Sequence, residues 1–235
     1  MNYGEVRDRS LQLMRQYSLA GDPIERDYNN QADYLKAIPG LVDEAMMEIA
    51  NIRYIDEYKE LRLDPTIDRL GMPTYLLPDD LMDIMPGGFL VVEPGAETPS
   101  YDTGWAQPDE RHIIFPKRGK HFRGRVFLQY YRRPHSIMDC MKDGCPLYGG
   151  ECTAEAPSDV EPPDCAPLDN DPSTHTAIPY YVAAHLLLGE DSFGYASLYN
   201  EWVAKLGRMQ KAPQPHRHLI SDVYGMENMY DWGDC

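Results

Sequence analysis

The chain has 235 residues, 43% of them apolar, and a formal net charge of −16. That length suits one large domain or a domain with insertions. The charge excludes a protein whose main task is to grip nucleic acid, though not one past which DNA must slide. No apolar run of about 18 residues is present, so no membrane span is expected. The opening MNYGEVRDRS lacks the apolar core of a secretory signal, which makes synthesis in a cytoplasm the expectation.

Taken in order, residues 3 to 19 read as a first helix. Tyr3, Val6, Leu13 and Tyr17 share a face, Leu11 and Met14 lie beside it, and Gly21-Asp22-Pro23 stops it. Tyr28-Asn29-Asn30 is a capping region. A second helix follows from about Gln31, kinked or restarted at Pro39-Gly40, with Leu41, Val42, Ala45, Ile49 and Ile52 in helical period. Tyr54 to Leu63 fits strand or helix. LPDDLMDIM, from Leu77 to Met85, reads as a short helix with acids at its positive end, stopped by Pro86-Gly87-Gly88.

From Phe89 to Arg133 the pattern is that of strands. Phe89 to Val92 is a short apolar run, and Ser100 to Pro108 reads as loop. His112 to Phe115 and Arg125 to Tyr131 are the clearest strands, expected to form a hairpin or small antiparallel sheet around Lys117-Arg118-Gly119-Lys120. Met138 to His175 reads as a long Pro-rich loop with nine acids against one lysine. Ala177 to Met209 reads as two helices that pack as a pair. Thr176 is placed to cap the first and Pro179 sits in its first turn. Asp191 or Ser192 caps the second, whose stripe is Tyr195, Tyr199, Trp202, Leu206 and Met209. The tail after Met209 carries many large apolar residues without period, which points to docking on a neighbouring surface. The expected fold class is α+β. A small helical bundle over 3–52 and 177–209 carries an inserted hairpin or small sheet over 89–133 and a Cys- and Pro-rich acidic loop over 138–175. A docking tail follows over 210–235.

Four stretches in this order, NYGEVRDRSLQLMRQYSLAG, YNNQADYLKAIPGLVDEAMMEIA, VFLQYYRRP and the helix pair beginning AIPYYVAAHLLL, resemble the head-to-tail connector (adaptor) proteins of tailed bacteriophages. The likeness covers most of residues 3–52 and 123–209. It implies a virion structural protein, made in the bacterial host and located at the head–tail junction. Such a protein forms a ring, usually of twelve subunits, between the portal and further neck or tail proteins, and DNA passes through its lumen. It implies no enzyme activity, no cofactor and no membrane partner. The segment 89–124 and the Cys-rich loop depart from the simpler members of that family. On this reading residues 1–209 are the connector domain.

Charge is sharply partitioned. Arg111, Lys117, Arg118, Lys120, Arg123, Arg125, Arg132 and Arg133 fall within 23 residues that hold no acid, and an acidic loop follows. The expectation is that this basic hairpin faces an acidic segment of the next subunit or of the portal, pairing that sets register and partner choice. The bland alternative is a solvated hairpin whose charges protect a strand edge.

Cys140, Cys145, Cys152 and Cys165 follow a C-x4-C-x6-C-x12-C spacing, flanked by His135 and His175. Four thiolates can close a tetrahedral zinc site, but the spacing has no C-x2-C pair. Disulfides and free thiols stay open beside it, and the odd count of five cysteines fits no complete disulfide scheme. A zinc-binding regulatory or enzymatic module organised by these cysteines is therefore the alternative function. His216 and His218 read as surface histidines, and His185 as a hydrogen-bonded core histidine. Asp79-Asp80 and Asp169-Asn170-Asp171 lack calcium-loop spacing and read as cap or turn acids. Gly87-Gly88 and Gly119 read as turns. No catalytic, cofactor-binding or metal-binding residue is assigned.

Overall fold

The computed structural model describes residues 1–16, 28–64, 72–95, 98–138, 162–189 and 191–211. The chain forms two compact units, one from Met1–Ile55 with Tyr131–Ala212, the other including Asp56–Tyr130. The fold is α+β: four helices in the first unit, and two small sheets built largely by the second.

The first unit is helical because its apolar residues recur at helical spacing. In α1 (Tyr3–Gln16), Tyr3, Val6 and Leu13 of the expected face are buried, with Met14 buried beside them, and Tyr17 lies outside the described residues. A reciprocal capping box opens it. The Asn2 side chain accepts the Glu5 N–H at 2.9 Å, and the Glu5 carboxylate accepts the Asn2 N–H at 3.1 Å. The next two N–H groups, of Tyr3 and Gly4, donate to the carbonyls of Ala166 and Asp164. Gly4 is needed there, since a Cβ would sit 2.9 Å from that of Asp164. The expected stop at Gly21-Asp22-Pro23 lies outside the described residues.

Helix α2 (Tyr28–Ala50) runs through Pro39 as one element rather than restarting. An interior proline costs roughly 3 kcal/mol. Full burial of Ile38, Val42, Ala45, Met46 and Ile49 on the same helix offsets it. Helix α3 (Ile178–Leu187) begins at Ala177 with no side-chain cap, so Thr176 does not cap it. Pro179 occupies its first turn as expected. Helix α4 (Ser192–Lys211) is capped by Asp191, whose Oδ1 accepts the N–H groups of Phe193 and Gly194 at 3.1 and 3.0 Å. Its Tyr195–Met209 stripe packs on the core shared with α1, α2 and α3. Trp202 is fully buried, edge-on to Tyr181 at 5.1 Å.

The strands begin at Ile55, not at Phe89. In chain order they are β1 (Ile55–Leu61), β2 (Leu63–Asp64), β3 (Thr74–Leu76), β4 (Leu81–Val92), β5 (Ser100–Tyr101), β6 (Ala106–Asp109), β7 (His112–Ile114) and β8 (Arg125–Arg132). One sheet has the order β1-β8-β4-β5, the other β2-β3-β7-β6. Registers pair Leu63 with Tyr75, Tyr75 with Ile113, and Leu90 with Tyr101, all antiparallel.

Three expectations are corrected here. The stretch LPDDLMDIM is not a helix; from Leu81 it enters β4, because the seven residues between Pro78 and Pro86 hold too little periodicity to outweigh sheet pairing. Ser100 to Pro108 is not all loop, since it supplies β5 and most of β6. The strands β7 and β8 do not form a hairpin, for each lies in a different sheet. Between them runs a 3-10 turn, Pro116–Arg118, closed by Gly119 at φ 79°. Within β4, Gly87 has φ 73° and a Cβ on Gly88 would meet the Gln129 carbonyl at 2.6 Å, while the β6–β7 register shifts between Ala106 and Asp109. The second core is aromatic: Phe115 meets Tyr75, Phe89 and Phe122 edge-on at 5.6 to 6.0 Å.

Candidate functional site

Among the described residues the chemistry-bearing side chains fall into surfaces and struts. Consider first the eight cations from Arg111 to Arg133. Four are spent on partners elsewhere in the chain. Arg111 pairs with Asp79. Arg118 binds Asp102 at 2.6 Å and Glu93 at 2.5 Å. Arg125 makes a bidentate pair with Glu60 at 2.8 Å, and Arg132 pairs with Asp169. Burial pushes the Asp102 carboxyl up, but hydrogen bonds from Arg118 and the Gly104 N–H outweigh it and hold it below the usual range. The stretch therefore does not present a continuous basic face. What it presents is Lys117, Lys120, Arg123 and Arg133, all exposed. The guanidinium of Arg123 reaches only the backbone carbonyls of Phe122 and Lys120, at 2.9 and 3.3 Å.

In the helical unit the acids of LDND act as struts. Asp169 is buried and takes both guanidinium nitrogens of Arg132, the backbone N–H of His135 and the His135 ring. Asp171 holds the Ser173 N–H at 2.9 Å and faces Arg53 at 3.6 Å. His175 is 4% exposed, with Nδ1 3.2 Å from the Met1 ammonium and Nε2 2.9 Å from the Asn170 carbonyl. That pattern fits the neutral ring with its proton on Nε2. Asp80, read as a cap, instead accepts the Tyr130 hydroxyl at 3.0 Å.

His185 lies tilted against Tyr181 with centroids 4.1 Å apart and meets Tyr195 and Tyr199 edge-on at 6.1 Å. Its Nε2 is buried with no hydrogen-bond partner among the described residues, so the expected hydrogen-bonded core histidine is held by rings instead. Burial pushes this imidazole below its ordinary value, against the pull of Glu44 and Glu48. Burial and the same two glutamates push the Tyr181 hydroxyl up to about 12. Beyond this face, the α3–α4 turn exposes Leu188 at 57% and Phe193 at 68%. Elsewhere on the unit, an open groove of about 620 Å³ runs past Glu5, Asp8, Arg9, Thr176, Tyr180 and Lys205. Its charges nearly cancel, and Lys205 is engaged over the Tyr180 ring at 4.7 Å.

Cys165 is disulfide-bonded, and a sulfur in that state is not a thiolate ligand. Cys140, Cys145 and Cys152 lie outside the described residues, as do His216, His218 and the tail from 212 onward. Among the described residues no group of three or more His, Cys, Asp or Glu is placed to hold a metal ion. None of their helices is long and apolar enough to cross a membrane.

Pattern reasoning did not reach the Arg132–Asp169 strut or the clamp of loop 164–166 on the start of α1. The Asn2-x-x-Glu5 box was the one signal that could have located that helix start. No protein-family model matches the chain, and no curated protein matches it significantly.

Proposed function

We propose that this chain is a structural ring subunit of the connector between the portal and tail of a tailed bacteriophage, without enzymatic activity. One observation carries the reading. The stretches that resemble connector proteins at each end, 3–52 and 177–209, share a single helical core, in which Tyr3, Val42, Val182 and Trp202 are all fully buried. The departing segment 89–124 contributes to a separate strand-built unit. A ring wall needs such a rigid helical body together with elements that reach neighbouring copies. Heterologous contacts of that kind close into rings when the rotation permits. The net charge of −16 suits a lumen through which DNA moves without sticking.

The test is the mass of the purified chain by light scattering, alone and with the portal of the same virus, followed by imaging. A ring of about twelve copies seated on the portal is expected from the resemblance, and acids facing the channel from the net charge alone. A chain that stays monomeric at tens of micromolar with portal present would overturn the reading. A channel lined mainly by Lys and Arg would overturn its DNA-passage part.

A further inference from the structure

Among the described residues, two surfaces of opposite charge have no ion-pair partner. In the strand unit, the 3-10 turn and the loop after it expose Lys117, Lys120 and Arg123. The neighbouring carboxylate of Asp102 is already taken by Arg118 and the Gly104 N–H. In the helical unit, Glu44 and Glu48 stand one turn apart on the exposed side of α2, where they repel each other. They flank the ring cluster of Tyr181, His185, Tyr195 and Tyr199, in which Tyr195 and Tyr199 are half-buried and stacked at 5.4 Å. Among the described residues the side-chain hydrogen bond these glutamates accept is that of the Tyr181 hydroxyl, 3.4 Å from Glu44.

We infer that the Lys117–Arg123 loop of one copy seats on the Glu44/Glu48 aromatic face of the next copy. The inference rests on the ring reading above and names the contact that would close it. A second copy is the occupant because the same chain carries both halves of a complementary pair. A surface that meets a different surface on an identical neighbour is what a head-to-tail ring requires. Carboxylates beside half-buried rings suit lysine and arginine twice over, by charge and by the ring faces. The contact fixes order and register around the ring, and added salt weakens it.

The experiment uses two full-length variants, E44K/E48K and K117E/K120E, each checked by circular dichroism for an intact fold. Alone, each presents like charges at every interface, and association should weaken by about a hundredfold or more. Mixed one to one, every interface becomes basic against acidic again, and rings should return with the two variants alternating. Variants that assemble like the parent would overturn the inference and leave the ring reading standing. A mixture that fails although both variants are folded would overturn it too, by showing that each surface serves another partner. A parent chain that never assembles would remove the ring reading and this contact together. Should a reversal unfold the chain, the neutral variants E44Q/E48Q and K117Q/K120Q replace it. The contact then requires that ring formation lose most of its salt dependence, and unchanged salt dependence would refute it.

Discussion

Replacing Arg132 with Ala should be among the most damaging single changes in the helical unit. Both partners of the Arg132–Asp169 pair are buried, at 8% exposure each. Asp169 accepts the second guanidinium nitrogen at 2.8 Å and the His135 N–H at 2.7 Å. Burial alone would push its carboxyl up. The hydrogen bonds from Arg132 and His135 outweigh that and hold it below the usual carboxylate range. Removing the arginine leaves a charge out of water with one N–H donor and a histidine ring, which costs about 3–5 kcal/mol. The double variant R132M/D169L removes both charges and leaves neutral groups, the His135 N–H and ring and the Arg133 carbonyl, without these partners, so it should lose about 1–3 kcal/mol. The assay is urea unfolding followed by helical circular dichroism. A loss below about 1 kcal/mol for R132A, or a double variant no more stable than R132A, would refute the reasoning. The pH dependence follows in sign. A carboxyl whose folded value is depressed adds stability above its unfolded value, and that stability is lost as pH falls through the folded value. In R132A the folded value rises, so Asp169 contributes a smaller acid-side loss, and the stability gap between R132A and the parent should narrow as pH falls.

Asp191→Ala removes two hydrogen bonds at the start of α4 and should cost about 1 kcal/mol, while Asp191→Asn should be nearly silent; thermal unfolding of the three proteins distinguishes them. Burial pushes His175 below its ordinary 6.5, and the Met1 ammonium adds to that push while the Asn170 carbonyl and Asp171 oppose it. Its contribution to stability is present above that value and lost as pH falls, because the unfolded chain takes the proton first. An NMR titration of the ring should give a midpoint below 6.5, and an ordinary midpoint would show that the ring is not held buried in solution.

How much of this was legible beforehand depends on the range of the signal. The buried faces of α1, α2 and α4 follow a 3.6-residue period that is written locally. Tyr3 and Val6, Val42 and Ala45, and Tyr195 through Met209 accordingly lie where the pattern puts them. Asp191 was readable as a cap because its work is done within three residues. The strand unit was readable only in part. Arg125 to Tyr131 has the composition of a strand, but its partners, β1 and β4, lie far away in the chain. Leu81 to Met85 carries apolar residues that fit a helix turn equally well, and only pairing decides the matter. The basic stretch looked like one surface because Glu60, Asp79, Glu93 and Asp169, which neutralise half of it, lie far along the chain.

By itself the sequence determined the α+β class, helices α1, α2 and α4 with their inward faces, the turn at Gly119 and the excess of negative charge. These depend on neighbours within a turn or two, where side-chain spacing and φ preference act directly. Only the tertiary structure decided that β7 and β8 part into different sheets, that Arg132 is a buried strut, and that Lys117, Lys120 and Arg123 stay exposed while Arg118 does not. Those outcomes turn on which distant groups meet, and pairing across tens of residues leaves no periodic trace in the chain.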